Sequence, residues 1–441
     1  MQPTSFLKAY FAYPVWPARS TWRALIRLLL LLATLMAGLA NTAQAQTGFA
    51  AWLDELRIEA LAKGISAATF HAALGNVSPD ANIVAQDRNQ PEFVQPFLSY
   101  LSKRVTDNRV NNGQALRQRH QALLDDVELV YGVPSSVLLA FWGLETNYGQ
   151  FMGSHAIPAA LATLAYDGRR HQFFRSQLLD ALRIIEQGHI QASGMRGSWA
   201  GAMGHMQFIP STFLRYAVDG DQDGYIDVWN SLPDAFHSAA NYLSQMGWQG
   251  TQPTAVEVWL PEQFDWQQAA LHLRQPARNW LAMGVLPVET LRQDSLDAPA
   301  AVILPQGAKG PAFLVFDNFD IVMRWNRSVN YALSVALLSE RIIGGPDLMH
   351  GDESAHDALS HEALKQLQQQ LNLLGFEAGE PDGFPGPQTQ AAIRRYQLSV
   401  GLSADGYASP ALLSSMLAQP LQAPVQQMPI NSSASGKIAP R

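Results

Sequence analysis

The sequence predicts a mainly α chain with a small sheet element (α+β), divided into a large domain and a small three-helix bundle. Three observations carry this expectation. Apolar residues recur at helical spacing through most of residues 49–345, as in Trp52, Leu53, Leu56, Ala60, Leu61 and again in Leu178, Leu179, Leu182, Ile185. Strand-like alternation is confined to Ala255–Leu260, Val302–Leu304 and Phe313–Val315, enough for one small sheet. Beyond a polar stretch, Leu364, Leu367, Leu371 and Leu374 mark one face of a further helix.

Taken in order, the chain opens with Arg19, Arg23 and Arg27 ahead of the apolar run Leu28–Ala40, and Ala43-Gln44-Ala45 gives a small-x-small cleavage pattern. Residues 1–45 therefore read as a cleaved signal peptide. The alternative, a membrane anchor, needs about 20 apolar residues, and the run is shorter. No cysteine is present among 441 residues, which removes disulfides, thiolate metal sites, cysteine nucleophiles and a lipidated N-terminal cysteine. The expectation is a periplasmic protein, exported, not lipidated and without a stable membrane anchor. Losing Lys8 and the three arginines takes the formal charge from −7 to −11, which argues against nucleic acid as the main partner. With 47% hydrophobic and 15% charged residues, two or three domains can each bury a core.

The stretch Pro134–Gly149, PSSVLLAFWGLETNYG, reads as a helix that proline opens and glycine closes. Val137, Phe141 and Glu145 are spaced four apart and share its apolar stripe. A carboxylate facing a core is costly unless hydrogen-bonded or protonated, and burial raises a carboxyl pKa, as a general acid requires. The pattern alone equally allows pairing with a buried arginine, or an offset stripe with the carboxylate in water.

Residues 194–213, GMRGSWAGAMGHMQFIPSTF, form a glycine-rich connection able to turn Ser198 and Gln207 into a cleft, with Pro210 opening the next helix. The bland alternative is a connection with a few satisfied polar residues. Next comes VDGDQDGYIDVWN. Asp219, Asp221 and Asp223 at positions 1, 3 and 5, Gly224 at 6, Tyr225 at 7 and Asp227 at 9 follow the order of a calcium loop. Asn230 replaces the usual glutamate at 12, with Asp234 a few residues on. An Asp/Gly-rich surface turn is the alternative. Asp320–Arg341 reads as one helical stretch carrying Trp325, Asn326 and Tyr331 near its start.

Residues 346–358 read as a linker. The leucine face then forms a helix closed by Gly375, a second helix runs through Ala392, Ile393 and Tyr396, and Pro410 opens a third, so that 359–418 is a compact bundle. The tail, 419–441, has a disordered composition.

FWGLETNYG, the pair Arg169-Arg170, GSWAGAMGHMQFIPSTF, the aspartate loop ending in VWN, and WNRSVNYA together resemble the lytic murein transglycosylase B family over residues 46–345. The bundle, with LQQQLNLLGFEAGEPDGFPGPQTQAAIRRYQ and GLSADG, resembles the peptidoglycan-binding three-helix domain found on wall enzymes. The resemblance implies a lysozyme-like fold that cleaves the β-1,4 bond between N-acetylmuramic acid and N-acetylglucosamine without adding water. Glu145 matches the family's single acid/base, and the substrate's own N-acetyl group takes the part of a second carboxylate. Ser198, Gln207 and Asn326 match residues lining the sugar subsites, Arg169 and Arg170 match a pair near the peptide carboxylates, and Tyr100 and Tyr331 are expected to stack on sugar rings. Trp325 stands where the family usually has tyrosine, which puts a hydroxyl hydrogen bond in question. The aspartate loop matches the family's calcium site, with candidate ligands Asp219, Asp221, Asp223, Tyr225, Asp227 and Asp234. No organic cofactor is expected. The implied partners are peptidoglycan glycan strands and, further, other cell-wall enzymes. Two other functions remain open: a hydrolytic muramidase of goose-lysozyme type, and a catalytically silent wall-binding scaffold.

Overall fold

The computed structural model describes residues 48–88, 95–350 and 359–418. The expected signal peptide, the disordered tail and residues 351–358 of the linker lie outside the described residues. Residues 48–79 belong to a unit of their own. Within it run a helix over 48–62 and the helix Ala67–Leu74, whose Ser66 cap accepts the Thr69 N–H at 3.1 Å.

The second unit is built around the helix Ser135–Thr146. Every residue from Ser135 to Leu144 is buried, so this helix has no polar face. Helices Asp107–Arg119, Gln121–Tyr131, Leu232–Gln245 and Val329–Ile342 pack around it. Full burial of a side chain such as Phe141 stabilises the fold by about 1.5–3 kcal/mol. Pro134 precedes the first turn, and the Glu128 carboxylate accepts the Ser135 N–H at 3.0 Å. The helix ends earlier than expected. Asn147 takes the left-handed conformation there (φ 50°), and the Tyr148 N–H reaches back to the Trp142 carbonyl, so asparagine closes the helix two residues before Gly149.

The sheet is antiparallel, with strands in the order Gln275–Pro276, Pro299–Ile303, Ala312–Val315, Ala255–Trp259, Leu286–Pro287. The three central strands are those the alternation predicts. The two outer ones are two-residue pairings containing proline, too short to leave a period. Val258, Trp280, Val302, Leu314 and Phe316 form the core beneath.

The bundle consists of His361–Leu373, Pro387–Ser399 and Pro410–Ala418 around Leu364, Leu367, Leu371, Ile393 and Tyr396. It meets the sheet region through polar contacts: the Asp405 carboxylate accepts the Ala308 N–H at 2.9 Å, and Arg394 donates to the Ala269 carbonyl at 2.6 Å. The first linker residues also lie against the sheet, since the Glu257 carboxylate accepts the N–H groups of Met349 and His350, each at 2.8 Å.

Candidate active site

Glu145 lies in the last turn of the central helix, half-buried. Two donors converge on its Oε1: the Trp325 indole N–H at 2.9 Å and the Tyr331 hydroxyl at 2.5 Å. A break in the chain brings these donors together. Instead of one helix over Asp320–Arg341, the structure has Asp317–Trp325 and Val329–Ile342, parted by an extended Asn326 (φ −138°, ψ 118°). Ser328 caps the second helix by accepting the Tyr331 N–H at 3.3 Å. On an unbroken helix, residues 325 and 331 would stand about 9 Å apart along the axis and on different faces.

Trp325 therefore supplies the donor that the loss of a tyrosine hydroxyl put in question. Its ring packs on Phe141, Tyr242 and Phe208, with centroids at 4.6, 5.1 and 5.3 Å. Burial, reinforced by the neighbouring Glu145 carboxylate, holds the Tyr331 hydroxyl well above the usual tyrosine range, so it stays protonated and donates. Tyr331 is only 4% exposed and Tyr100 only 5%. Both rings are thus almost wholly covered by the protein. The side-chain amide of Asn326 makes no hydrogen bond to another described residue.

The glycine-rich connection approaches the carboxyl end of the central helix. Gln207 sits at φ 52°, a left-handed conformation that costs a non-glycine residue about 1–3 kcal/mol and marks an over-determined position. Its amide nitrogen donates to the carbonyls of Gly204 (3.0 Å) and Met152 (3.2 Å), and its Oε1 accepts from no other described residue. The Ser198 hydroxyl oxygen accepts the Ala202 N–H at 3.0 Å, leaving its hydrogen to donate. Gly204 (φ 66°) must be glycine, because a Cβ there would lie 2.3 Å from the Val228 carbonyl oxygen.

Residues 48–340 match the family model described as the transglycosylase SLT domain. The chain belongs to that family. Residues 360–416 match a second model, a putative peptidoglycan binding domain. The membrane-bound lytic murein transglycosylase B of Escherichia coli (strain K12) is 32% identical over 255 residues, covering 56% of this chain and 67% of that protein. The crystal structure of SltB3 from Pseudomonas aeruginosa in complex with NAG-anhNAM-pentapeptide is similar with a TM-score of 0.81 and 44% identity, covering 84% of this chain and 99% of that one. The Escherichia coli lytic transglycosylase Slt35 in complex with calcium is similar with a TM-score of 0.57 and 27% identity, covering 68% and 93%. The mainly helical, lysozyme-like class with its small sheet is thereby borne out.

In this transglycosylase-family chain the aspartate loop separates into two groups. Oxygen atoms of Asp219, Asp221 and Asp223 lie within 4.8 Å of one another, a carboxylate cluster suited to a hard cation. Asp227 and Asp234 stand outside that cluster. Asp227 accepts from the backbone of Trp229 and Asn230, each at 2.9 Å. Asp234, 1% exposed, accepts the N–H groups of Gly220 (2.8 Å) and Asp227 (2.6 Å). Its burial raises its pKa, and those two bonds pull it back. Both carboxylates brace the backbone of the loop. Tyr225 is exposed, and its N–H bonds Asp223 at 2.8 Å.

Arg169 and Arg170 precede the helix His171–Glu186. The Nε of Arg169 contacts the buried carboxylate of Asp87 at 2.8 Å, and the Arg170 guanidinium lies over Phe173 and Phe174 at 4.9 and 5.0 Å. A structural interaction thus engages each of the two.

One residue escaped the sequence reading. The His205 backbone N–H reaches the Val228 carbonyl at the end of the aspartate loop (2.9 Å), and its carbonyl accepts the hydroxyl of Thr146, the neighbour of Glu145, at 2.9 Å. Its Nδ1 accepts the Trp142 indole N–H at 3.0 Å, and since indole only donates, the ring is neutral with its proton on Nε2. Burial pushes its pKa down, against an opposing pull from Asp227. The only sequence signal was a lone histidine two residues before Gln207.

Proposed function

We propose that the protein cleaves the β-1,4 bond between N-acetylmuramic acid and N-acetylglucosamine in peptidoglycan, with Glu145 as the only acid and base and a 1,6-anhydromuramoyl end as product. The observation that carries this reading is the pair of neutral donors on Oε1. Trp325 has no lone pair to offer a proton there, so the transferable proton belongs on Oε2. Glu145 gives that proton to the departing glycosidic oxygen. The resulting carboxylate, steadied by Trp325 and Tyr331, takes the proton of the muramoyl 6-hydroxyl as that oxygen closes on C1. The Oε1 of Gln207 suits the acetamido N–H, and the Ser198 hydroxyl hydrogen suits a sugar oxygen.

Asp219, Asp221 and Asp223 fit a calcium ion, whose part is to neutralise the three carboxylates and fix the loop that bonds His205 through Val228. The relatives act on the cell wall, and in keeping with residues 1–45 we place this enzyme in the periplasm. Among the described residues no single helix is long and apolar enough to cross a membrane. Residues 359–418 serve to bind the polymer.

Mass spectra of the products from purified glycan strands test the reading. Lytic cleavage gives muramoyl ends lighter by one water than hydrolysis does. Hydrated ends would make the protein a muramidase, and no product would make it a binding scaffold.

A further inference from the structure

The chain just beyond Glu145 is held with unusual care. Asn147, Tyr148 and Gly149 all lie at positive φ (50°, 61° and 82°), and an aromatic residue in that region is a genuine outlier. Tyr148 stays there because its hydroxyl donates to the Arg109 carbonyl at 2.7 Å and its side chain fills the space left by Gly113 and Gly143, where a Cβ would come within 2.6 Å of the hydroxyl oxygen and 2.8 Å of the ring. The turn sends the Phe151 N–H back to the Thr146 carbonyl at 2.9 Å. On its other side the Met152 carbonyl accepts from Gln207 at 3.2 Å, and Gly153 presses so closely on Gly197 and Ser198 that a Cβ would lie 2.2 Å from the Gly197 backbone. Residue 151 is therefore fixed between the acid and the two polar residues of the glycine-rich connection. What the chain presents at that fixed point is a phenyl ring 72% exposed to water.

An exposed phenylalanine on a loose loop needs no explanation. One held by strained backbone beside Glu145, Ser198 and Gln207 does, because strain of this kind persists where a fixed geometry is used. We propose that Phe151 is a specificity-determining platform: its ring stacks on the apolar face of the pyranose bound on the Ser198–Gln207 side of Glu145. This rests on the glycan-cleaving reading above and adds to it a contact made by an aromatic face. The polar groups nearby orient the acetamido and hydroxyl substituents, while the ring recognises the C–H face that they cannot.

The test measures equilibrium affinity for a peptide-free N-acetylglucosamine–N-acetylmuramic acid tetrasaccharide in the non-turnover Glu145→Gln background. Phe151→Ala should weaken binding about 3- to 10-fold, the range of an aromatic stacking contact. Phe151→Trp should restore affinity and Phe151→Leu should not. The side chain is exposed, so unfolding temperatures should stay unchanged across the set. Unaltered affinity in Phe151→Ala, equal rescue by leucine, or a loss seen only with peptide-bearing tetrasaccharide overturns the platform while leaving the proposed function standing. A Glu145→Gln parent that binds neither tetrasaccharide overturns the proposed function and this inference with it.

Discussion

Trp325→Phe removes one donor from the Glu145 carboxylate while keeping an aromatic ring against Phe141. A hydrogen bond to a charged group contributes about 1.5–3 kcal/mol. If the whole of it acts while Glu145 is ionised, turnover should fall about 10- to 100-fold, at about 1.4 kcal/mol per tenfold. Tyr331→Phe, which removes the 2.5 Å hydroxyl, should cost at least as much. The double variant should lose less than the product of the two, because both donors serve the same oxygen. The smaller ring in Trp325→Phe also leaves space beside Phe208 and Tyr242, worth about 1–3 kcal/mol of stability, so rates should be read well below each variant's own unfolding temperature. Trp325→Tyr separates the two effects by restoring a donor without the indole. The assay is release of anhydromuramoyl ends from soluble glycan chains. Wild-type turnover in Trp325→Phe, or rescue by neither tyrosine nor any other donor, would refute the view that these residues position the acid.

Four further outcomes are expected. Glu145→Gln should lose nearly all turnover, about 10²- to 10⁴-fold or more, and still fold, as measured by product release and thermal unfolding. Adding calcium to chelated protein should raise its unfolding temperature, magnesium should do less, and Asp219→Ala with Asp223→Ala should abolish the rise. His205, ordinarily near pH 6.5, has its pKa depressed in the fold. The unfolded chain therefore binds the proton first, and stability present above about pH 6.5 should drain away as the pH falls below it. His189 and His120 are shifted in the same direction, so His205→Gln, which keeps an acceptor for Trp142, should flatten only part of the melting-temperature profile. Ending the chain at Gly351 should weaken retention on intact sacculi and leave turnover of short soluble chains nearly unchanged, in sedimentation and product assays.

Local chemistry made much of this legible in the sequence. The alternation over Ala255–Leu260 found a strand that lies between two neighbours, and the order of Asp219, Asp221, Asp223 and Gly224 found a loop whose three carboxylates do converge. What stayed hidden depended on contacts between distant segments. The stripe of Val137, Phe141 and Glu145 put the carboxylate on one apolar face, whereas the helix is buried on every side and Trp325 and Tyr331 meet Glu145 in its last turn. No local pattern shows that the chain breaks at Asn326, since the apolar residues on either side keep a helical period. Without that break nothing in the sequence brings Tyr331 to Glu145, to which it donates from a buried position. Asp234 likewise reads as a ligand by type and spacing, and the backbone groups of Gly220 and Asp227 that it accepts show only in the fold.

The separation between Glu145 and its two donors, 180 and 186 residues, has a consequence for how the protein is made. A chain leaving the ribosome N-terminus first carries the acid long before the residues that hold it. Any product that stops short of Tyr331, whether a nascent chain or a truncated fragment, has a glutamate on a helix that lacks its packing partner Val329–Ile342 and both donors. Contacts of such long sequence separation also carry a larger loop-closure entropy cost than local ones. A chain that stops short of residue 325 thus cannot form either hydrogen bond that holds Glu145 in the complete fold.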